Sequence, residues 1–576
     1  MSRILRSKVF WGALVLVVLA VVAVGVCAGR GPRVPADSWL VVDLRSALTE
    51  YDPPADLMGQ LLGERGPTLQ QTLDNLAKAT ADRRIKGVLI MMSASSAPGG
   101  ASRDELREAL AGVRAAGKRV VTWAEGLNPA GVHLAAASDT VTMCPTGWVI
   151  FTGSQARSMH VRGLLDKLGV KADLHKIKDY KSVAEMMTRT DMSDPARENR
   201  AWLLQEAWDM VHADLANDRG LDEDAIVSLM ERAVLSAEEA LQGGLIDQTW
   251  YWDQLETELG AEPGKSLPTV SQSTYSKVRF DQVGLAGKHT VAVIHAQGMI
   301  GGRKSRINPL LGMMIGHETV VADLRRAQRD PKVKAVILRV DSPGGDALAS
   351  DLIARQIDIM RADKPVVVSM VDVAASGGYV IAYRADKVVA NPLTITGSIG
   401  SISGKFNLAG LYDRLGISFD QISKGPMADF YSDLRDFTPE ERARFEENHW
   451  ASFNRWLADV AERRGMTFAE AEQLAHGRVW TGRQAVANNL VDELGGLQRA
   501  VQVAKDLAGI PAEERVRVVH FPERRGLLQL LRQGDGDGST SVINWMVYRL
   551  IHRDLAEAAR LLADGRLQWE PAVPAL

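Results

Sequence analysis

The pattern of apolar and polar positions in the second half of the chain alternates between two periods. Short runs rich in β-branched residues, at Val336–Val340, Val366–Met370 and Lys387–Ala390, predict buried strands. Between them, Thr319–Arg329 and Ser350–Arg361 place apolar residues three and four positions apart, which predicts amphipathic helices. Strands separated by helices are typical of parallel β-α crossover units. The pattern therefore predicts an α/β domain.

The same order of elements occurs twice, at an offset of about 247 residues. Asp82–Met91 matches Asp330–Arg339, and Val234–Asp247 matches Val479–Asp492. Chance similarity can explain one such pair but not an ordered series at nearly constant spacing. The sequence therefore predicts two tandem α/β domains that arose by internal duplication.

The repeat and the composition of the segments outside it give the expected domain organisation. Residues 262–288 contain two prolines and several serines and have little periodicity, so we expect a linker there. The expected parts are an N-terminal membrane segment at 1–30, a first repeat at 36–261, the linker at 262–288, a second repeat at 289–510, and an extension at 523–576 with a final helix at Val542–Asp564.

Charge and composition exclude several classes of function. The net charge is -3 and 24% of the residues are charged, which gives no sign of the basic face that nucleic-acid binding requires. The two cysteines cannot form a disulfide framework. Because the sequence shows neither a Cys/His ligand cluster nor a phosphate-binding loop, we expect no metal and no other cofactor.

The N-terminus is typical of a membrane segment. Three basic residues within the first eight precede the uncharged stretch Val9–Gly29, which is long enough to span a bilayer as a helix. A signal peptide cleaved near Gly29 is the alternative, but the apolar run exceeds the usual signal core, so we favour an uncleaved anchor. The basic cluster predicts a single-pass protein whose body lies outside the cytoplasm.

Ser376 is the candidate nucleophile. It follows a predicted strand and precedes Gly377, and a run at Tyr379–Ala385 is predicted to be helical. A lone serine at such a turn is most often a helix N-cap. However, the neighbouring predicted strand also ends in a double-glycine turn, at Gly345. Two such turns at one edge of a parallel sheet can direct the backbone N–H groups of Gly345 and Gly377 at one oxyanion.

A nucleophilic serine needs a base, and the sequence around Ser376 does not identify one. The Gly-x-Ser-x-Gly elbow is not matched, and no histidine is near Ser376 in sequence. His133, His175 and His317 are distant in sequence, and nothing marks any of them as a catalytic group. A lysine therefore remains a candidate for the base.

The chain resembles the signal peptide peptidase A family, also called protease IV, in its long double-domain form. The resemblance covers about residues 36–510. The stretches that carry it are Asp330–Gly345, Val373–Tyr379, Ala390–Gly400 and Gly477–Gly482 in the second half, and Tyr180-Lys181-Ser182 with Asp191-Met-Ser in the first.

The resemblance implies a crotonase-like (ClpP-like) fold in each half and a Ser/Lys dyad, with Ser376 as nucleophile and Lys181 as general base. The repeat gives separate support, since Lys181 aligns with Pro426 and Ser376 aligns with Pro129. Each half thus retains one member of the dyad. By resemblance the hydroxyl of Ser398 orients the lysine amine, and an ordinary turn residue is the alternative at that position.

The resemblance also implies partners and a location. It implies a bacterial inner-membrane protein with a catalytic body on the periplasmic or extracytoplasmic side. It also implies assembly as a homo-oligomer, a tetramer, and hydrolysis of hydrophobic peptides such as released signal peptides. Two alternatives stay open. A coenzyme-A-dependent enzyme on the same fold could use the double-glycine turns without Ser376 or Lys181, and a non-catalytic membrane scaffold would need no dyad.

Overall fold

The computed structural model describes residues 32–51, 66, 68–96, 98–308 and 311–522. The expected N-terminal anchor at 1–30 and the expected helix at Val542–Asp564 lie outside these residues. Within the residues described, no helix combines the length and apolar character needed to cross a membrane.

The first half of the chain folds into a seven-stranded sheet with the order β6-β4-β3-β2-β1-β8, in which β7 also pairs with β4. All its pairs are parallel except the antiparallel pair β4–β6. Its strands are β1 (Ser38–Asp43), β2 (Ile85–Met92), β3 (Arg119–Leu127), β4 (Thr140–Phe151), β6 (Ala233–Ser236), β7 (Gln248–Thr249) and β8 (Thr269–Ser271), and β5 (Lys171–Lys176) lies outside this sheet.

Helices connect these strands and cover the sheet. Several helices have an N-cap residue whose side chain accepts a hydrogen bond from a backbone N–H of the first turn. Examples are Thr68, Ser193 and Asp222. The helices are α1 (Leu69–Ala81), α2 (Gly100–Ala115), α3 (Pro129–Ala135), α4 (Arg162–Leu168), α5 (Glu185–Thr188), α6 (Asp194–Arg219), α7 (Glu223–Glu231), α8 (Ala237–Gln242), α9 (Trp252–Glu258) and α10 (Gln272–Tyr275).

The second half forms an eight-stranded sheet with the order β18-β16-β14-β13-β9-β20, with β15 between β14 and β19. A small sheet of order β10-β12-β11 accompanies it. The strands are β9 (His289–Gln297), β10 (Met299–Ile300), β11 (Arg306–Asn308), β12 (Gly312–Ile315), β13 (Val333–Ser342), β14 (Val366–Ala375), β15 (Lys387–Ala390), β16 (Ile395–Gly397), β17 (Ile402–Asn407), β18 (Val479–Thr481), β19 (Glu493–Leu494) and β20 (Val516–Phe521).

The helices of the second half repeat the arrangement of the first. Two of them, α11 and α12, include the stretches in which the apolar spacing predicts helices. The helices are α11 (His317–Arg329), α12 (Ala347–Arg361), α13 (Gly377–Val380), α14 (Ala409–Leu415), α15 (Pro439–Arg463), α16 (Phe468–Leu474), α17 (Gly482–Ala487) and α18 (Leu497–Leu507). The predicted α/β architecture of both halves is confirmed, with parallel strands at the centre of each sheet.

The sheets extend beyond the expected domain boundaries. Strand β8 and helix α10 lie within residues 262–288, and β8 pairs in parallel with β1. Part of the segment expected to be a linker therefore completes the first sheet. Strand β20, which follows residue 510, likewise pairs with β9 and completes the second. Both strands lie at a sheet edge, and β8 has only three residues, too few to show a strand periodicity.

The two halves join through a two-stranded antiparallel sheet. Strand β5 of the first half pairs with β17 of the second, from Lys176 opposite Ile402 to Lys171 opposite Asn407. The segment that follows β5 is thereby carried across to the second half, where the backbone N–H of Ile177 donates to the carbonyl oxygen of Ser401. This junction brings a first-half segment to the end of strand β14.

Candidate active site

Ser376 lies between strand β14 and helix α13, with φ +55° and ψ -119°. A non-glycine residue in this left-handed region costs about 1–3 kcal/mol, and such strain occurs preferentially at functional sites. The side chain of Ser376 makes no capping hydrogen bond, so the usual role of a serine at a helix start does not apply. The helix predicted at Tyr379–Ala385 is only the single turn α13 followed by turns.

Lys181 reaches Ser376 from the first half of the same chain. It follows β5 and precedes a 3₁₀ turn at Ser182–Ala184. Its Nζ lies 3.0 Å from Ser376 Oγ, 2.9 Å from Ser398 Oγ and 2.8 Å from Ser398 O. The fold thus brings together two residues that are 195 positions apart in the sequence.

Burial determines the electrostatics of Lys181. The residue is only 6% exposed. Burial penalises the ammonium form and lowers the pKa of Lys181 from 10.5 to about 7. Among the residues described, no carboxylate forms an ion pair with this amine. A substantial fraction of Lys181 is therefore neutral near pH 7 and able to accept a proton from the Ser376 hydroxyl.

Gly345 and Gly377 lie close together at the ends of the neighbouring strands. A Cβ atom built on Gly377 would lie 3.1 Å from Gly345 N, and one built on Gly345 would lie 2.0 Å from Ile300 O. Strand β10 fixes this turn, because Ile300 N donates to Gly344 O and Asp346 N donates to Ile300 O.

The backbone amides of these two glycines are available to a ligand. Within the part of the chain that the structure describes, neither Gly345 N nor Gly377 N donates a hydrogen bond. Gly345 has φ +146°, which a residue with a side chain rarely adopts. A turn with two unused N–H groups beside a serine hydroxyl can hold a negatively charged oxygen.

Ser398 contacts the lysine and also forms a turn. Its φ is +51°, and its backbone N–H donates to Arg478 O at 2.6 Å. Both its hydroxyl and its carbonyl oxygen accept from Lys181 Nζ. The two alternatives for Ser398, orienting the lysine amine and forming an ordinary turn, are therefore compatible, since the turn directs both oxygens of Ser398 at the Lys181 amine.

Three further residues support the lysine segment, and the sequence did not identify them as functional. A Cβ atom built on Gly477 would lie 2.4 Å from Lys181 N, so only glycine allows this approach. Asn199 on α6 donates to Val479 O and accepts from Val479 N, at 2.9 and 3.0 Å. The guanidinium of Arg478 lies over the ring of Tyr180. For Gly477 and Arg478 the sequence did contain a signal, because both lie in the stretch Gly477–Gly482, which carries part of the resemblance.

The histidines considered as bases make other contacts. His133 Nε2 pairs with Asp214, His175 Nδ1 pairs with His449, and the ring of His317 contacts Gly302 O. None of them hydrogen-bonds to Ser376. No group of His, Cys, Asp and Glu side chains that could hold a metal ion occurs among the described residues.

Two aspartates near the glycine turns make backbone contacts. Asp372 accepts hydrogen bonds from Ala101 N and Ser102 N at the start of α2, and so joins the two halves. Asp341 accepts from Val373 N. Burial, together with the nearby charge of Asp372, raises the pKa of Asp341 to about 7.

Comparison with known families identifies the class of protein. The profile of peptidase family S49 matches residues 113–264 and 358–511, one match in each half. The chain belongs to peptidase family S49, in its two-domain form. It is therefore a serine protease, and this membership gives no support to the coenzyme-A-dependent enzyme or the non-catalytic scaffold.

Two curated relatives resemble the chain over most of its length. The chain is 32% identical to "Serine protease SPPA, chloroplastic" from Arabidopsis thaliana over 87% of its own residues and 74% of the relative's. It is 31% identical to "Protease 4" from Salmonella typhi, over 86% of this chain and 83% of that one.

A solved structure also matches part of the chain. It is a lysine-to-alanine mutant of 1510-N membrane-bound stomatin-specific protease in complex with a substrate peptide. The match covers 45% of this chain and 99% of that chain, at 15% identity and a TM-score of 0.27.

Proposed function

We propose that this protease uses Ser376 as nucleophile and Lys181 as general base. The observation that carries the proposal is the 3.0 Å contact between Lys181 Nζ and Ser376 Oγ, made by a buried amine whose pKa is lowered to about 7. A serine hydroxyl needs an adjacent base, and a desolvated lysine can serve as one near neutral pH.

In the proposed cycle, Ser376 Oγ attacks the carbonyl carbon of the scissile peptide bond while its proton passes to Lys181 Nζ. The N–H groups of Gly345 and Gly377 stabilise the oxyanion of the tetrahedral intermediate. Lys181 then returns the proton to the leaving amine, which leaves an acyl-enzyme on Ser376. A water molecule, deprotonated by Lys181, hydrolyses this ester and restores the hydroxyl.

The proposed substrates are hydrophobic peptides, such as signal peptides released in a membrane. Val183, two residues from Lys181, is 63% exposed, and Met299, beside the Ile300 anchor of the glycine turn, is 37% exposed. Apolar side chains at these positions favour apolar peptide residues next to the scissile bond.

The setting that we propose is a bacterial inner membrane, with residues 1–30 as a single-pass anchor and the body on the periplasmic side. The proposal rests on the apolar stretch Val9–Gly29, on the basic residues before it and on the resemblance of the chain. It includes a crotonase-like fold in each half and assembly as a homo-oligomer, a tetramer by resemblance.

Labelling with a serine-reactive fluorophosphonate, combined with turnover of a hydrophobic peptide, tests the dyad. We expect the wild type to be labelled and active, and Ser376→Ala to be neither. Lys181→Ala should lose activity by about 10²–10⁴-fold, the usual contribution of a general base. Ser273→Ala, at an exposed position in the first half, is the control and should behave as wild type. Labelling or turnover that persists in Ser376→Ala would show that another residue is the nucleophile.

A further inference from the structure

Strand β14 changes its register against β13 shortly before it ends. The two strands pair regularly as far as Val340 opposite Met370. The pairing resumes with Ser342 opposite Ala374, so that one residue of β13, Asp341, stands against three residues of β14. Strand β13 keeps its register with β9 at this point, so the bulge belongs to β14. Such a bulge bends a strand and redirects the side chains that follow it, which here are those of the turn that carries the proposed nucleophile.

The side chain of Asp341 holds this bulge on the β13 side. Its Oδ1 accepts a hydrogen bond of 3.1 Å from Val373 N, which belongs to one of the three β14 residues opposite it. On the other side of β14, the Thr394 hydroxyl donates to Val371 O at 2.7 Å. Asp372, between these two residues, accepts hydrogen bonds from the start of α2 in the first half. The carboxyl group of Asp341 therefore takes the place of a backbone acceptor that the change of register removes.

The main chain of Asp341 leads to the other glycine turn. Its carbonyl oxygen accepts a hydrogen bond of 2.9 Å from Gly298 N, directly before strand β10. That strand fixes the second turn, since Ile300 forms a parallel bridge with Gly345. Asp341 thus bonds through its carbonyl oxygen to the segment that holds Gly345, and through its carboxyl group to the strand that ends beside Gly377.

The two turns are packed so closely that they leave little room for movement. A Cβ atom built on Gly344 would lie 2.5 Å from Gly377 N, and one built on Gly378 would lie 2.5 Å from Ser342 O. Gly344 N also donates to Ser342 Oγ at 3.1 Å, and Ser342 is fully buried. Because closely packed groups transmit a displacement, a shift of the bulge changes the position of the turn amides.

The first half of the chain provides an internal comparison. Its equivalent strands, β2 and β3, keep one register, and within the described residues their pairing ends at Met92 opposite Ala124. Ser93 stands at the position of Asp341, and its hydroxyl donates to Arg45 O instead of accepting from the neighbouring strand. The half that has proline in place of the nucleophile thus also lacks the carboxyl group and the resumed pairing. This joint absence links Asp341 to the geometry of the active site.

We propose that Asp341 is a positioning residue of the oxyanion hole, whose carboxyl group holds the β14 bulge and so sets the distance between the N–H groups of Gly345 and Gly377. The inference rests on the function proposed above, because Asp341 acts through these two amides. The role requires an oxygen that accepts from Val373 N, and it does not require a negative charge.

The ionisation of Asp341 agrees with this requirement. Burial, followed by the charges of Asp372 and Glu50, raises its pKa to about 7, while Val373 N and the charge of Arg339 act in the opposite direction. A large fraction of the carboxyl group is therefore protonated near neutral pH. In the protonated form one oxygen remains a carbonyl oxygen and can still accept the hydrogen bond.

The first test is steady-state turnover of a hydrophobic peptide by full-length variants. Asp341→Leu has a similar size but no acceptor, and it should lower kcat by about 10²-fold, the lower end of the loss of one oxyanion donor, with KM little changed. Asp341→Ser, which copies Ser93 of the first half, is too short to reach Val373 N and should show the same loss. Asp341→Asn keeps an oxygen acceptor and should recover most of kcat.

Asp386→Leu is the matched control. Asp386 accepts a hydrogen bond of 2.8 Å from Val366 N at the opposite end of β14, and it pairs with Arg361. The variant removes the same kind of bond from the same strand, far from the glycine turns. It should lower stability in urea unfolding but keep kcat close to the wild-type value.

The second test separates positioning from a loss of folded protein. A peptide aldehyde adds to the serine and places its oxygen in the oxyanion hole, whereas the product peptide binds without such an oxygen. In Asp341→Leu the inhibition constant of the aldehyde should rise by the factor by which kcat falls, and that of the product should stay unchanged. A purely structural defect would lower the fraction of active sites titrated by fluorophosphonate and leave both inhibition constants unchanged.

The third test is a double-mutant cycle with Gly345→Ala. If Asp341 acts through the amides, the double variant Asp341→Leu/Gly345→Ala should lose little more kcat than the more damaging single variant. Losses that multiply would show that the two residues act independently, and they would overturn the proposal.

The remaining outcomes are also decisive. Wild-type turnover and aldehyde binding in Asp341→Leu, with Ser376 still labelled, would overturn the positioning role and leave the dyad intact. An equal loss in Asp341→Asn and Asp341→Leu would show that the charge and not the hydrogen bond matters, and this too would overturn it. Labelling that persists in Ser376→Ala would instead overturn the proposed nucleophile, so the two failures are distinguishable.

Discussion

At the scale of single residues, the ionisation of Lys181 sets the pH dependence of the reaction. Burial lowers its pKa to about 7, so the amine changes from ammonium to neutral amine as the pH rises through that value. Only the neutral amine can accept the Ser376 proton. We expect kcat/KM for a peptide substrate to rise about tenfold per pH unit below pH 7 and to level off above it. A pH–rate profile of the wild type from pH 5 to 9 measures this.

The control for this profile is Lys181→Arg. Its guanidinium keeps its proton at every pH in the range, so this variant should be inactive throughout. A wild-type profile that is flat from pH 5 to 9, or that rises only near pH 10, would contradict the assignment of Lys181 as base.

The proposed oxyanion turn allows a test with matched glycines. Gly345→Ala places a Cβ atom 2.0 Å from Ile300 O at φ +146°, so the turn must shift and its N–H must move. Losing one such donor costs about 10²–10³-fold in kcat. Gly465 also has a left-handed φ, +63°, but a Cβ atom there meets nothing within 4 Å. Gly465→Ala should therefore lose about 1 kcal/mol of stability but little activity.

Kinetics on folded protein separate these outcomes, with circular dichroism as a check on folding. Equal losses of kcat in Gly345→Ala and Gly465→Ala would show that the loss arises from general backbone strain and not from displacement of the Gly345 N–H.

At the scale of elements, helix α6 of the first half holds the segment that supports Lys181. Asn199 forms two hydrogen bonds with the backbone of Val479 and is 5% exposed. Asn199→Ala leaves the partly buried N–H and C=O of Val479 unpaired, which costs up to about 1–3 kcal/mol each. Because Val479 follows Arg478, whose carbonyl oxygen positions Ser398, we expect kcat to fall while KM changes little.

Gln205→Ala on the same helix is the control. Gln205 is exposed, and within the described part of the chain its side chain bonds to Asp209 on the same helix, so stability and kcat should stay near the wild-type values. Urea unfolding and steady-state kinetics measure both quantities. If Asn199→Ala lowers stability but leaves kcat unchanged, its role is structural only.

Local pattern predicted the elements that repeat, and it failed where a partner far along the chain decides the structure. The strands that lead to Gly345 and Ser376 are continuous apolar runs, so their type and order were visible in the sequence. The pairing of β5 with β17 was not, because neither segment is apolar enough to stand out and each needs the other half as its partner. The positive φ of Ser376 likewise depends on the glycine turn beside it.

The residues of the candidate site also divide into those to which the sequence pointed and those to which it did not. Ser376 was a candidate because its turn lies beside a second double-glycine turn, whereas Lys181 was implied by the resemblance, with the prolines at the aligned positions of the repeat as separate support. The roles of Asn199 and of the Gly477 backbone could not be found, because they arise from contacts between halves more than 270 positions apart. A single asparagine on a polar helix carries no signal of such a contact.

At the scale of the whole molecule, a buried ion cluster ties the halves together behind the site. Arg339 on β13 pairs with Glu50 at 2.8 Å and with Glu105 at 2.7 Å, and all three side chains are almost fully buried. Arg339 also donates to Ser369 Oγ. Both carboxylates come from the first half and the guanidinium comes from the second, so separating the halves would expose or unpair these charges.

The cluster determines how stability should depend on pH. Burial is the largest single influence on Glu50 and raises its pKa, but the charge of Arg339 and the hydrogen bonds from His295 and Arg339 together outweigh it and hold the value at about 2. For Glu105 burial prevails, and its pKa is raised. Arg339→Met removes the cation and leaves two buried carboxylates, a change that costs about 3–5 kcal/mol. Without Arg339 the pKa of both carboxyl groups rises, so the folded variant binds more protons than the unfolded one.

The variant should therefore lose stability as the pH rises, and its deficit relative to wild type should be smaller at pH 5 than at pH 8. Urea unfolding at the two values measures this deficit. The triple variant Glu50→Gln/Glu105→Gln/Arg339→Met removes every charge of the cluster, and it should recover much of the loss and be nearly independent of pH. If Arg339→Met is equally destabilised at pH 5 and pH 8, or if the triple variant is no more stable, the cluster does not join the halves through charge. The junction would then depend on the apolar contacts and the β5–β17 pair.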